Sequence, residues 1–257
     1  MRQIRIGGKN IGRLGQPAVC VPLVGRTRGG VVNELAAILP QEPDLIEWRV
    51  DSFEGIGSIR SVIELAVDIK AAARDIPIIF TCRAVNEGGG LNALNDSDIL
   101  KLYVAACASH CVDLIDYEIS NPTAHLMQLR DVSRDNAMAM IMSYHDHHGT
   151  PAESVMLEKF LEAERLGADV AKVVVMPRQL EDVLTLLGAT LKASRQCEIP
   201  LVGVAMGQLG FFSRILGWAY GSAMTFAINK AHSVPGLIPV AEMRSVLASV
   251  HRVAQSA

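Results

Sequence analysis

Eight short apolar runs recur along the chain, each followed by turn residues and separated by longer stretches with helical patterning, and this alternation restricts the fold more than any other feature. The runs are AVCVPLVG (18–25), LIEWRVD (45–51), PIIFTCR (77–83), LIDYEIS (114–120), MAMIMSYHD (138–146), DVAKVVVMP (169–177), PLVGVAMG (200–207) and SAMTFAIN (222–229). Between them, SIRSVIELAVDIKAAARD, DSDILKLYVAACASH, ESVMLEKFLEAERLG and LEDVLTLLGATLKASRQ place apolar residues three and four apart, several behind polar residues suited to N-caps. PVAEMRSVLASVHRV supplies a last helix. Eight such units in 257 residues predict an α/β fold, a TIM (β/α)8 barrel forming one domain over 1–257, with a doubly wound sheet as the competing arrangement. The short IRIGG and KNIG pieces before the first unit predict an N-terminal β-hairpin closing the bottom of the barrel.

Composition narrows the partners. The 27 acidic residues nearly balance 24 basic ones and no basic cluster occurs, so no nucleic-acid footprint is expected and the partner is a small molecule. Five cysteines without a C-x-x-C pair argue against a disulfide framework and fit a reducing cytoplasm, with Cys107 and Cys111, one helical turn apart, read as free core thiols. The opening MRQIRIGGKN has no apolar signal-peptide core, and polar residues interrupt every apolar stretch short of a span, so no membrane association is expected.

In a barrel of this kind chemistry gathers at the C-terminal ends of the strands. Period-two alternation puts Glu47, Arg49 and Asp51 on one face, and the same parity gives Thr81 and Arg83, Asp116 and Glu118, Ser143 and His145, and Lys172. Lys172 stands out within ADVAKVVVMP, because a buried ammonium must be paired, turned to a cavity or held partly neutral. Like charge from Arg49 and Arg83, with desolvation between Val170 and Val174, predicts a lowered pKa and a nucleophilic amine able to form an imine with a ketone or aldehyde. An ion pair with Glu118 or Asp116 serving only the fold is the equal alternative. His145 supplies a base titrating near neutral pH that could take a carbon-bound proton and return it to a leaving hydroxyl. The cluster YHDHHGTP lacks the further ligands a metal needs, so no metal is expected, and His147 and His148 fall at the strand end and in the following loop. MGQLG (206–210) and PGLIP (235–239) occupy the usual phosphate-loop places without a Walker motif. Arg214, placed at the start of a helix, is a candidate for a bidentate carboxylate contact or else a solvated helix charge.

With these residues assembled, the chain resembles the type I 3-dehydroquinate dehydratases of the shikimate pathway over nearly its whole length. The resemblance rests on IEWRVD, FTCR…EGG, MSYHD, AKVVVMP, SR at 213–214 and SVPG at 233–236, in that order. It implies that Lys172 forms an imine with the substrate ketone, that His145 is general base and acid, and that Glu87 orients it. It further implies that Glu47, Arg49 and Arg83 bind ring hydroxyls, Arg214 the carboxylate and Ser233 the substrate from a closing loop. The implied reaction is loss of water from 3-dehydroquinate without a cofactor, in a homodimer. Two positions depart from the family. Leu237 follows SVPG where a glutamine is usual, and His147 stands where an aromatic is common after HD. These departures predict weakened activity on 3-dehydroquinate or a preference for a related cyclic ketone. A class I aldolase would share the strand lysine but give retro-aldol products. A non-catalytic metabolite-binding protein would be stabilised by ligand without turnover or a borohydride-trapped adduct.

Overall fold

The computed structural model describes residues 3–6, 9–11, 16–90, 94–229 and 235–255. After a hairpin of β1 (Ile4–Ile6) and β2 (Lys9–Ile11), eight strands alternate with helices: β3 (Ala18–Leu23), β4 (Leu45–Arg49), β5 (Ile78–Thr81), β6 (Leu114–Glu118), β7 (Ala139–Asp146), β8 (Val170–Val175), β9 (Leu201–Ala205) and β10 (Met224–Phe226). All pair in parallel in the order β10-β3-β4-β5-β6-β7-β8-β9. The seam between β9 and β10 is thin, a single bridge of Leu201 to Ser222 with Ala223 N donating to Leu201 O at 2.7 Å. The result is a nearly closed TIM barrel, as the alternation predicts, rather than a doubly wound sheet.

The helices are α1 (Arg28–Ile38), α2 (Ile59–Ala73), α3 (Asp96–Ser109), α4 (Thr123–Asp135), α5 (Glu153–Arg165), α6 (Leu180–Ser194), α7 (Gly210–Leu216) and α8 (Val240–Gln255). Polar openings act as expected: Ser58 accepts from Ser61 N, Asn95 from Asp98 N, and Gln179 forms a capping box with Asp182. Cys107 and Cys111 are not on successive turns, a correction to the sequence reading. α3 stops at Ser109, and His110 takes the left-handed conformation at φ 51°, which ends the helix before Cys111. All five cysteines are free thiols. No helix among the described residues is long and apolar enough to cross a membrane.

Two apolar cores result, one between sheet and helices and one inside the barrel. Inside, Cys20, Leu45, Ile79, Leu114, Ile141, Val170, Val202 and Met224 pack together from successive strands, and Ile6 and Ile11 of the hairpin join them. The hairpin therefore seals the N-terminal end of the barrel. Outside, an edge-to-face series runs from Trp48 through Phe80 and Tyr103 to Tyr117, with ring centroids 5.7, 5.2 and 5.0 Å apart. The Tyr103 hydroxyl accepts from Cys82 N at 2.8 Å and donates to Asp116 O at 2.6 Å, tying the end of β5 to β6 just where the charged residues begin.

Candidate active site

Strand parity decides what faces the cavity. In β8, Ala171, Val173 and Val175 belong to the outer core while Val170 and Val174 belong to the interior one, so Lys172 points inward between them. In β4 Leu45 faces inward and Ile46 and Trp48 outward, which turns Glu47 in; Ile79, Leu114 and Ile141 likewise bring in Thr81, Asp116 and Ser143. An apolar interior layer at the bottom thus gives way to a polar one above it.

Lys172 Nζ donates to Asp116 Oδ2 at 2.8 Å and Glu47 Oε1 at 3.3 Å, and stands 5.0 Å above the Phe226 ring. Burial pushes the ammonium toward its neutral form, but Asp116 and Glu47 outweigh it and hold its pKa above the ordinary lysine value. This corrects the sequence expectation of a lowered pKa. Arg83 does act against the lysine charge, yet the two carboxylates contribute more. Asp116 is itself opposed by burial and overruled by Arg83 and Lys172, which hold its carboxyl well below the usual range. Arg83 binds Asp116 at 3.0 Å, Glu118 at 2.8 Å and Ser143 Oγ at 2.9 Å, while Ser143 donates to Asp116 at 2.6 Å. Thr81 donates to Glu47 at 3.0 Å. The lysine is therefore ion-paired, cavity-facing and a resting ammonium ion.

His145, late in β7, is held by Glu87. The carboxylate meets His145 Nδ1 at 3.0 Å and accepts from its backbone N at 3.1 Å through the same Oε2. With a carboxylate accepting at Nδ1, the imidazole proton sits there and Nε2 is left as the free base. Burial, then the Arg83 and Lys172 charges, push the imidazole pKa well down, so His145 is neutral at rest. Glu87 sits in a short 3-10 turn, Val85–Glu87, that ends at Gly88 with φ 81°. A side chain at Gly88 would strain that backbone and put a Cβ 2.3 Å from the His147 ring. His147 stacks on His145 with centroids 6.3 Å apart and planes at 18°.

Three other candidates take places the strand pattern does not give. Asp51 is not on a strand face, because β4 ends at Arg49 and Val50–Ser52 forms a 3-10 turn. It folds under Arg49 instead, accepting from its Nε at 2.9 Å and Nη2 at 2.8 Å and from the backbone N of Arg83 and Gly90. Arg83 likewise lies beyond β5, which ends at Thr81. Arg214 is neither at a helix start nor solvated: it is the fifth residue of α7, buried, with burial lowering its pKa to about 10. Its Nε has no hydrogen-bond partner, and no described carboxylate pairs with it. Ser233 lies outside the described residues. Leu237 faces the cavity and packs on the interior core; Gly236 before it, at φ 79°, comes so close to Gly207 that a Cβ would stand 1.9 Å from its carbonyl oxygen.

The cavity measures about 290 Å³. Glu47, Arg49, Arg83, Glu87, His145, His147, Lys172 and Arg214 all line it, so every described residue to which the resemblance gives a role faces one cavity, whereas Asp51, Thr81, Asp116, Glu118 and Ser143 do not line it. Val174, Val204, Met206, Phe226 and Leu237 supply the apolar part of its lining. Of these, Met206 and Phe226 carry no polar signal that would single them out from a core. Among the described residues no group of three or more His, Cys, Asp or Glu is placed to hold a metal.

Fold and cavity together define a barrel enzyme acting on a small polar molecule. The family model for type I 3-dehydroquinase matches residues 19–254. The 3-dehydroquinate dehydratase of Albidiferax ferrireducens is 48% identical over 90% of this chain and 88% of its own, and that of Aromatoleum aromaticum 40% identical over 98% and 96%. Among solved structures, the 3-dehydroquinate dehydratase of Geobacillus kaustophilus superposes with a TM-score of 0.94 at 38% identity, over 98% of this chain and 97% of that one. The Clostridium difficile type I 3-dehydroquinate dehydratase, with covalently modified comenic acid, gives 0.94 at 32% identity, over 98% and 99%. The chain belongs to the type I 3-dehydroquinase family.

Proposed function

We propose that this protein removes water from 3-dehydroquinate to give 3-dehydroshikimate through an imine on Lys172. The observation that carries the reading is an inward-facing lysine sharing one cavity with a neutral, carboxylate-oriented histidine. Imine formation needs one proton to leave the resting ammonium, and His145 is a neutral base in the same cavity. Nζ then adds to the ketone carbon, and the carbinolamine hydroxyl takes that proton back from His145 and leaves as water, giving a protonated imine and a neutral His145 once more. That cation draws electrons from the adjacent C–H bond, whose proton passes to His145 Nε2. The resulting enamine expels the β-hydroxyl, which takes the proton from His145 and departs as water. A second water hydrolyses the imine and restores Lys172. Water enters once and leaves twice, so the balance is one water lost and no electrons gained.

The remaining cavity groups divide by what they already bind. Arg83 and Arg49 are satisfied by protein carboxylates, which suits them to orient ring hydroxyls without a net charge of their own. Arg214 lacks such a partner and suits the substrate carboxylate, since a buried guanidinium gains most from the anion that completes it. Arg214→Met should raise KM about 10- to 150-fold, from about 1.5–3 kcal/mol for a charged hydrogen bond, with a smaller change in kcat. Equal KM values in steady-state kinetics would remove Arg214 from this role.

Leu237 offers no hydrogen bond to a polar substrate edge. Leu237→Gln should raise kcat/KM for 3-dehydroquinate about 5- to 150-fold, corresponding to about 1–3 kcal/mol for satisfying a buried polar group. An unchanged value would mean the missing amide does not limit this enzyme. The proposed activity itself is tested by following enone absorbance on mixing protein with 3-dehydroquinate. The same reading includes one domain, a cytoplasmic location that five free thiols support, and a homodimer open to light scattering.

A further inference from the structure

Glu87 carries one contact that the reaction sequence leaves unused. Its Oε2 serves His145, while its Oε1 accepts a hydrogen bond of 2.5 Å from the hydroxyl of Ser120, two residues beyond the end of β6. The segment presenting Ser120 is braced on both sides. Ile119 N donates to Ser143 O at 2.8 Å, Asn121 N to Glu118 O at 3.2 Å, and the Asn121 side chain reaches Glu118 O at 3.0 Å and Oε2 at 3.1 Å. Ser120 is exposed whereas Glu87 is buried, and the two carboxylate oxygens are divided between the Ser120 hydroxyl and the His145 imidazole.

We infer that Ser120 is a positioning residue for the proton shuttle, its hydroxyl holding Glu87 as the carboxylate that keeps His145 a free base. The need for such a donor follows from what surrounds Glu87. Burial pushes its carboxyl up to about 7, Ser120 opposes this, Glu118 and Asp116 from β6 add to it, and Arg83 beyond β5 counters it. Arg49 from β4, tied to Asp51, contacts the Gly88 carbonyl at 3.3 Å, and His145 and His147 close the other side. A proton added to the imidazole removes the free Nε2, and one added to Glu87 removes the carboxylate charge that fixes the ring proton on Nδ1. A hydroxyl that donates more strongly to the ionised form shifts that uptake to lower pH, so losing it makes the pair bind its proton at higher pH.

This inference rests on the proposed reaction only for its kinetic half, and its test has a half that does not. In protein with ¹⁵N-labelled histidine, the His145 ring nitrogens, assigned by their loss in His145→Ala and separated from His147 with His147→Phe, report the pair's protonation without substrate. In Ser120→Ala the uptake midpoint should rise by about half a pH unit or more, and Ser120→Thr should return it to the wild-type value. The acidic limb of kcat/KM for 3-dehydroquinate should rise in parallel, where loss of structure alone would lower activity equally at all pH. An unmoved or lowered midpoint in Ser120→Ala would overturn the inference. A raised midpoint in protein that does not turn over 3-dehydroquinate would uphold it while the proposed activity fails.

Discussion

Lys172→Ala should lose turnover of 3-dehydroquinate by about 10⁵-fold or more, because no other amine among the described residues lining the cavity can form the imine on which each later step depends. The substitution also removes one cation from a buried network. Asp116 keeps Arg83 at 3.0 Å and Ser143 at 2.6 Å, but Glu47 keeps among the described residues only the Thr81 hydrogen bond, with Arg83 and Arg49 as more distant charges, and breaking a buried pair costs about 3–5 kcal/mol. Lys172→Met fills more of the volume, and Lys172→Arg keeps a cation that cannot form an imine. All three should be inactive, with thermal unfolding separating loss of chemistry from loss of fold. An active Lys172→Met or Lys172→Arg variant would exclude the covalent route.

His145→Ala should lower kcat by about 10²- to 10⁴-fold, the range for removing a positioned acid–base group. Its signature differs from that of Lys172, because His145 also takes the later carbon-bound proton. The variant should form its adduct slowly and then stall, so an adduct accumulates that mass spectrometry can detect. Equal and mild effects from Lys172 and His145 substitutions would contradict the assignment of one as nucleophile and the other as proton carrier.

The sequence displays the barrel because period-two patterning and helix spacing are local, and eight units leave few topologies open. Parity also picks the inward-facing residues correctly: Glu47, Asp116, Ser143, His145 and Lys172 all alternate with residues of the outer core. What parity does not give is which inward residues meet. Lys172 on β8 reaches Asp116 on β6 and Glu47 on β4, across strands whose tilt and stagger decide the contact, and that reversed the sign expected for its pKa. Patterning also stops where strands stop. Asp51 and Arg83 lie past strand ends, α7 is seven residues long and too short for a face to emerge around Arg214, and the Ser120–Glu87 contact joins two connecting segments. Motif resemblance alone carried Glu87, and for Arg214 it joined a reading from the preceding loop, where periodicity could not reach either.

The covalent role of Lys172 is tested most directly by quenching protein and 3-dehydroquinate with borohydride during turnover and locating the adduct by peptide mass. Covalent catalysis by Lys172 predicts enone formation together with a reduced substrate adduct on the peptide containing Lys172, and neither signal in Lys172→Met. Turnover without an adduct on that peptide, or an adduct on a different lysine, would contradict it.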